Sequence, residues 1–301
     1  MVSSISLNIK HRGKRIKTLP SQVTLQASDS TASLYQQVAS LSHVSVHRLR
    51  LSLNQDGSEV VPNTSEDSLA SKEITDDMDV FVKDLGAQID WRTVYVIEYL
   101  GPLIIHPLLF NLRLASPSST QTLVFYMVMG QFLKRELESL FVHRFSNATM
   151  PLRNIFKNSF HYWILSGVFL AWVVYTPKES TPATPSPPSL LTYASIMLYL
   201  VGLSMNTYVH LVQRSLRPAG TTRRMVPRGI GFAWVTCPNY MFETLTWVGV
   251  LVVSRSWSVL LFIVISVAQM KAWADKKEAR YRKEFPGEYD WKKYSIIPGV
   301  M

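Results

Sequence analysis

The chain has 301 residues, enough for two domains, and a formal charge of +10 that favours anionic partners such as lipid headgroups or phosphorylated ligands. Its single cysteine, Cys237, excludes an intrachain disulfide and a zinc site built from several cysteines. Residues 1–92 are polar and mixed, whereas residues 93–274 hold most of the long apolar runs, so the sequence predicts a head followed by a membrane body.

The head, residues 1–84, predicts a small unit of strands around one helix. Residues 2–10 alternate apolar and polar side chains as a half-buried strand does, and Arg15–Leu19 is predicted to be the returning strand. A helix is predicted over Thr31–Ser42, followed by strands near 49–53 and 79–83. This order is typical of a β-grasp fold and resembles a ubiquitin-like module. No catalytic cluster is recognised in it.

The rest of the chain predicts a linker, residues 85–92, and a multi-span α-helical membrane domain, residues 93–301. A helix that crosses a bilayer needs about 20 mostly apolar residues. About six such transmembrane helices are expected. They are predicted near residues 93–112, 118–133, 159–176, 190–212, 232–253 and 256–274.

Lysine and arginine concentrate in alternate connections, residues 134–158 and 213–231, and in the tail after residue 274. Basic residues favour the cytosolic side of a membrane. With an even number of spans, this pattern predicts that the head, both basic loops and the tail are cytosolic. Contact with membrane lipid follows from the same pattern.

The segment Cys237–Glu243 (CPNYMFE) places a proline, an amide, a phenol and a carboxyl between two apolar runs. Such groups are costly in hydrocarbon unless they face a protein interior or a wet cavity. We therefore predict the active site around Asn239, Tyr240 and Glu243, with Asn206 as a further polar residue in an apolar run. The alternative is that these side chains only hold helices together.

Further candidates lie in and beside the predicted spans. Glu98 and the pair Lys134-Arg135 are predicted to contact the substrate. Arg217 and Arg224 belong to an arginine-rich loop with proline and glycine turns, which suits a phosphate pocket as well as contact with anionic lipid. No nucleic-acid-binding fold is recognised, so a small phosphorylated ligand fits better than nucleic acid. The histidines of the body are too widely spaced for a metal motif, and no metal site is predicted.

Several segments together resemble the trans-2-enoyl-CoA reductase family, within the wider steroid 5-alpha-reductase-type group, along nearly the whole chain. The resemblance is carried by Lys83–Gln88 (KDLGAQ), Glu98–Pro102 (EYLGP), Lys134–Ser146 (KRELESLFVHRFS), Thr149–Asn158 (TMPLRNIFKN), Leu216–Gly220 (LRPAG), Cys237–Tyr240 (CPNY) and Ile297-Pro298. It implies NADPH as the cofactor, a long-chain trans-2-enoyl-CoA as the substrate, the final step of very-long-chain fatty-acid elongation as the reaction, the endoplasmic reticulum as the location and other elongation enzymes as partners.

The resemblance also implies residue roles. Tyr240 matches the catalytic tyrosine, and Gln88 matches a glutamine that polarises the substrate. The positions that match cofactor contacts are Asn206, Arg217, Asn239, Glu243, Trp247 and Tyr281. One departure is Gln131-Phe132, where the family usually has His-Tyr. It argues against a steroid substrate and increases the expected importance of Tyr240.

Three alternatives stay open at this point. The chain could be a reductase of steroid or polyprenol double bonds, a membrane-tethered ubiquitin-like adaptor without enzymatic activity, or a methyltransferase that uses S-adenosylmethionine. A substrate assay separates the first from enoyl-CoA reduction, and stabilisation by NADPH separates the others.

Overall fold

The computed structural model describes residues 4–145, 148–177, 189–217 and 225–301. These residues form two compact units. The first comprises the described part of Met1–Trp91 together with that of Asn147–Asn154, and the second comprises the described parts of Arg92–Ser146 and Ile155–Met301.

A four-stranded sheet of order β2-β1-β4-β3 forms the first unit. Its strands are β1 (Ser4–His11), β2 (Gln22–Gln26), β3 (Leu49–Ser52) and β4 (Asp79–Asp84). The central strands β1 and β4 are parallel, and each pairs antiparallel with one edge strand. Helix α1 (Thr31–Ser42) packs on this sheet through the fully buried Leu34 and Val38. The predicted order of elements is found, and the ubiquitin-like identity of the unit stays a prediction.

The returning strand was predicted in the wrong place. It lies at Gln22–Gln26, where Val23 pairs with Leu7, and not at Arg15–Leu19. Pro20 has no N–H for a sheet hydrogen bond, and a longer loop carries Ile16 into the core instead. The alternation of apolar and polar residues resumes only after that proline.

The second unit is helical. Its elements are α2 (Trp91–Arg113), α3 (Ser119–Phe141), α4 (Asn154–Ser159), a π-helix (Phe160–Phe169), α5 (Leu170–Val174), α6 (Leu190–Ser215), α7 (Pro238–Ser254) and α8 (Trp257–Glu284). Two short strands, β5 (Gln88–Asp90) and β6 (Thr149–Pro151), pair antiparallel within the first unit.

The prediction of about six membrane spans is wrong for the described residues. Among the helices of the described residues, only α2, α6 and α8 are long and apolar enough to cross a membrane, which indicates a membrane protein. The segment near 159–176 is divided among a π-helix and shorter helices, and α7 has 17 residues because it begins at Pro238. Helix α3 becomes charged at Lys134, so its apolar part is short. The part of the chain that the structure describes therefore does not show the even number of spans that placed both termini on one side.

Helices α6 and α7 run antiparallel in backbone contact. A Cβ atom at Gly202 would lie 2.6 Å from the backbone nitrogen of Thr246, and one at Gly249 would lie 2.9 Å from the carbonyl oxygen of Ser195. Because only glycine leaves this space, the two helices approach more closely than side chains would allow. This contact brings the polar positions of α6 beside the start of α7.

We predict that the stability of the first unit depends on an ion pair between Arg48 and Asp84. The guanidinium donates two hydrogen bonds, of 3.1 and 2.6 Å, and they lower the pKa of Asp84 although burial opposes the shift. A carboxyl whose folded pKa is depressed stabilises the fold above its unfolded pKa of about 4 and loses this contribution as the pH falls. Asp84→Asn should therefore lower the stability at neutral pH and weaken its acid dependence.

The measurement is the urea concentration at which the amides of β3 and β4 lose protection in the full-length protein. Samples are equilibrated over about pH 3 to 7 and then labelled at one fixed pH, so that intrinsic exchange rates are equal. Arg48→Lys keeps the positive charge but loses the bidentate hydrogen bonding. Its urea midpoint at neutral pH should therefore lie between those of the wild type and Asp84→Asn. An unchanged acid dependence in Asp84→Asn would contradict the assignment.

Candidate functional site

Tyr240 lies in the first turn of α7. Pro238 is the first helical residue, where its missing N–H costs no hydrogen bond, and the backbone nitrogen of Tyr240 donates to the carbonyl of Cys237 at 3.0 Å. The Tyr240 side chain is half-buried, and its hydroxyl makes no hydrogen bond to any described residue. Burial raises the pKa of Tyr240 well above its usual value. The phenol is therefore protonated at neutral pH and able to donate a proton.

The neighbouring Asn239 accepts hydrogen bonds from two side chains of α6. Asn206 Nδ2 donates to the carbonyl oxygen of Asn239 at 2.7 Å, and Gln213 Nε2 donates to Asn239 Oδ1 at 3.1 Å. Asn206 and Gln213 are seven residues apart, so they lie on one face of α6. This pair of hydrogen bonds fixes the turn that carries Tyr240.

A buried ion network lies behind Asn206. Lys134 Nζ donates to Asn206 Oδ1 and lies 3.1 Å from Glu138 Oε1. The other carboxylate oxygen of Glu138 lies 3.1 Å from Arg135 Nη1 and 2.9 Å from His210 Nδ1. Burial alone would raise the pKa of Glu138, but the hydrogen bond from His210 and the Arg135 and Lys134 cations hold it below its ordinary value. An ionised Glu138 therefore balances the positive charge of this network.

Glu243 makes a second set of contacts along α7. Its Oε1 accepts from Gln131 Nε2 at 2.6 Å and from Trp247 Nε1 at 3.3 Å. The Trp247 ring packs against that of Phe132, with 5.8 Å between ring centroids. The two residues that depart from the family pattern, Gln131 and Phe132, thus contact two predicted cofactor residues.

A cavity of about 220 Å³ lies against Tyr240 and Asn239. No aspartate or glutamate is among the described residues that line it. Its cationic side chains are Arg135, Arg144, Arg214, Arg217, Lys277 and Arg280. Arg144 and Arg217 each donate to the other's backbone carbonyl, so this part of the wall is ordered by its own hydrogen bonds. A wall of one sign raises the local concentration of an oppositely charged ligand, so the cavity suits an anion.

The structure brings most of the predicted site residues together. Those that line the cavity are Arg135, Arg217, Asn239, Tyr240 and Tyr281. Asn206 lies one hydrogen bond behind the wall, because it donates to the lining residue Asn239, and Lys134 lies one contact further back, bound to Asn206 and Glu138.

Glu98 and Gln88 make other contacts. Glu98 is buried in α2, where its carboxyl contacts Asn158. Gln88 belongs to the first unit, where its amide donates to the carbonyl of Leu85 at 3.2 Å and its Oε1 accepts from the Thr149 hydroxyl at 3.4 Å. Arg224 lies outside the described residues.

Sequence reasoning missed Gln213, Lys277 and Arg280 as site residues. The basic residues of α8 were counted only as cytosolic charge. The available signal was the spacing of Lys277 and Tyr281, which are four residues apart and so share a helix face. Nothing in the sequence marked Gln213, because its partner Asn239 is 26 residues away along the chain.

Glu138, His143 and His210 place ligand atoms within 4.8 Å of one another, a spacing that a metal ion could use. Arg135 Nη1 lies 3.1 Å from the Glu138 carboxylate and 3.4 Å from His210 Nδ1, so a divalent cation would meet a guanidinium at the same place. The charge of Glu138 is already shared by two cations. The group is therefore better described as a hydrogen-bonded ion network.

Comparison with known proteins gives concordant matches. The model of the 3-oxo-5-alpha-steroid 4-dehydrogenase family matches residues 148–301. The chain is 42% identical to a Schizosaccharomyces pombe protein named as an enoyl reductase, over 98% of this chain and 99% of that protein. It is 33% identical to the very-long-chain enoyl-CoA reductase of Dictyostelium discoideum, over 98% of this chain and 100% of that protein. It is 29% identical to a trans-2,3-enoyl-CoA reductase-like protein of Mus musculus, over 84% of this chain and 72% of that protein.

We predict that Glu138→Gln destabilises the second unit by about 3 kcal/mol, because the change leaves buried cations without a counter-charge. Glu136→Gln is the matched control on the same helix, since Glu136 has no ion-pair partner among the described residues and burial raises its pKa. Thermal unfolding in detergent compares the two variants. Equal losses of stability would contradict the role assigned to Glu138.

Proposed function

Because the chain belongs to the very-long-chain enoyl-CoA reductase family, within the 3-oxo-5-alpha-steroid 4-dehydrogenase group, we propose that it uses NADPH to reduce a long-chain trans-2-enoyl-CoA. It is an oxidoreductase that acts on the carbon–carbon double bond of an enoyl-CoA. The alternative of an adaptor without enzymatic activity is therefore wrong. The reaction would be the last reduction in a cycle of very-long-chain fatty-acid elongation.

The observation that carries the proposal is the position of the Tyr240 phenol. It lines a cavity with six cationic side chains and no described acidic one, and its hydroxyl is not engaged by a described residue. A protonated phenol at such a place can serve as the proton donor for a substrate whose phosphates are held by the same wall.

The lining fits a phosphorylated dinucleotide. Guanidinium groups bind phosphate through paired N–H donors, and five of the six cations are arginines, which come from α3, α6, α8 and the segments that follow α3 and α6. The cavity is smaller than the roughly 300–1,000 Å³ typical of small-molecule sites, so a bound NADPH would extend beyond it along the cationic side chains. Arg217, Asn239 and Tyr281 would contact NADPH directly. Asn206, Glu243 and Trp247 would hold the surrounding helices, and Arg224 is a further proposed phosphate contact.

When bound, NADPH supplies the hydride that adds to C3 of the unsaturated acyl chain. The electron pair of the C2–C3 π bond would then shift towards C2 and the thioester oxygen, which would carry the negative charge. The Arg135 cation lines the cavity and would stabilise that charge. Tyr240 Oη then gives its proton to C2, which completes the saturated acyl-CoA, and the phenolate regains a proton from solvent.

Glu98 and Gln88 are proposed substrate contacts, and Lys134 is proposed to act through its protein partners. Lys134 is bound to Glu138 and Asn206, so its part is to hold Arg135 and the Asn239 turn in position. The proposal that Gln88 polarises the thioester rests on the family resemblance.

We place the enzyme in the endoplasmic reticulum membrane, with other elongation enzymes as partners. Three apolar helices support the membrane, and the basic cavity wall supports a cytosolic opening, since NADPH and the CoA group are soluble anions. The basic residues after residue 274 support a cytosolic C-terminal tail.

A second candidate is the reduction of a steroid enone, which the 3-oxo-5-alpha-steroid 4-dehydrogenase match favours. Phe132, buried against Trp247, has no hydroxyl to offer a ring carbonyl. Measuring the oxidation of NADPH with a long-chain enoyl-CoA and with a steroid enone separates the two substrates.

We predict that Tyr240→Phe lowers the kcat for enoyl-CoA reduction by at least about 100-fold, because it removes the proton donor while keeping the ring. NADPH binding should be retained. Tyr193→Phe makes the same change on a phenol that is 54% exposed in α6 and should leave turnover intact. Near-normal turnover in Tyr240→Phe would exclude it as the acid.

We also predict that NADPH raises the melting temperature of the purified protein more than NADH does, because the cationic wall favours the extra phosphate. Arg280→Ala, at the cavity wall, should narrow this difference, whereas Lys276→Ala, outside the wall, should not. Equal stabilisation by both nucleotides would contradict the assignment of NADPH.

A further inference from the structure

Glu278 is a buried carboxylate of α8 that no catalytic step uses. It is 7% exposed and accepts four hydrogen bonds. The donors are Thr236 Oγ1 at 2.6 Å, Arg282 Nε at 2.9 Å, the Lys292 backbone nitrogen at 3.0 Å and the Tyr289 hydroxyl. A carboxylate that accepts four hydrogen bonds can link the chain segments that supply the donors.

The donors come from three parts of the chain. Thr236 precedes α7 by two residues, Arg282 lies one turn further along α8, and Tyr289 and Lys292 belong to the C-terminal segment after α8. Without the carboxylate, the buried Thr236 hydroxyl would lose the hydrogen bond of 2.6 Å that it donates to Glu278.

The C-terminal segment is itself bound to the residues that begin α7. Val235 and Tyr294 form a parallel bridge, and the Cys237 backbone nitrogen donates to the Ser295 carbonyl at 3.0 Å. The fully buried Ile296 packs in one cluster with Cys237, and Tyr240 packs against that cluster. The orientation of the first turn of α7 is therefore fixed on one side by α6 and on the other by this segment.

We propose that Glu278 is a positioning residue for the reaction, acting through Thr236 to hold Tyr240 at the cavity. The inference rests on the proposed role of Tyr240 as the proton donor. Lys277, adjacent to Glu278, and Tyr281, one turn later, line the same cavity. The Glu278 carboxylate thus holds the cavity-lining side chains of α8 and the Tyr240 phenol of α7 in fixed positions relative to one another.

The test removes one hydrogen bond with little change in shape. Thr236→Val replaces the buried hydroxyl with a methyl group, and we expect kcat to fall roughly 10- to 100-fold, as a small displacement of an acid from its substrate does. The Kd for NADPH should change by less than about twofold, because the cofactor contacts are untouched. Thr236→Ser restores the hydroxyl and should recover most of the turnover.

Thr246→Val is the matched control. Its hydroxyl is fully buried and donates to the Phe242 carbonyl at 2.9 Å, within α7 itself. It should leave kcat nearly unchanged even where it lowers the melting temperature. If Thr236→Val and Thr246→Val lose equal stability and both keep wild-type kcat, Glu278 has only a structural role and the inference fails.

A double-mutant cycle separates this inference from the function on which it rests. In a Tyr240→Phe background, Thr236→Val should have little further effect on kcat, because both changes act on the same proton transfer. Full additivity would overturn the positioning role. Normal turnover of Tyr240→Phe alone would instead overturn the proposed function, and a slow Tyr240→Phe with a wild-type Thr236→Val would overturn only the present inference.

Discussion

The hydrogen bond from Asn206 to the backbone of Asn239 is the contact on which the rest of the site depends. It joins the middle of α6 to the first turn of α7, and it forms only because Gly202 leaves room for the two backbones to meet. Lys134 fixes the other end of the Asn206 amide and is itself balanced by Glu138. An unbroken series of polar contacts thus leads from a buried carboxylate to the turn that carries the phenol.

Charge is arranged in two layers around the cavity. The inner wall is cationic, and the acidic groups Glu138, Glu243 and Glu278 lie behind it, each paired with donors of the protein. The acids keep the wall folded without cancelling its attraction for phosphate. An acidic side chain in the wall itself would repel an anionic ligand, because desolvated like charges interact strongly. This arrangement accounts for a basic membrane enzyme in which Glu138 and Glu278 are buried carboxyl groups.

Much of this could be predicted from the sequence, and what failed has a physical cause. Alternation predicted β1, β3 and β4, and polar groups between apolar runs predicted the Asn239–Glu243 segment, because both signals are local. Hydropathy predicted too many membrane spans. A long apolar run does not show that a helix begins within it at Pro238, and an apolar start does not show that α3 continues as a charged helix after Lys134. Gln213 and Glu278 were missed because their partners, Asn239 and Thr236, are distant in sequence. Such contacts exist only once the helices have packed.

The glycine contact between α6 and α7 has a mechanical consequence. Where side chains separate two helices, they act as a compliant layer that absorbs small shifts; at Gly202 and Gly249 that layer is missing. We therefore expect the thermal fluctuations of the two helices to be correlated, so that α6 and α7 move together as one rigid unit. Movements that accompany the binding of an acyl-CoA are therefore expected in other helices, with the hydrogen bond between Asn206 and Asn239 preserved.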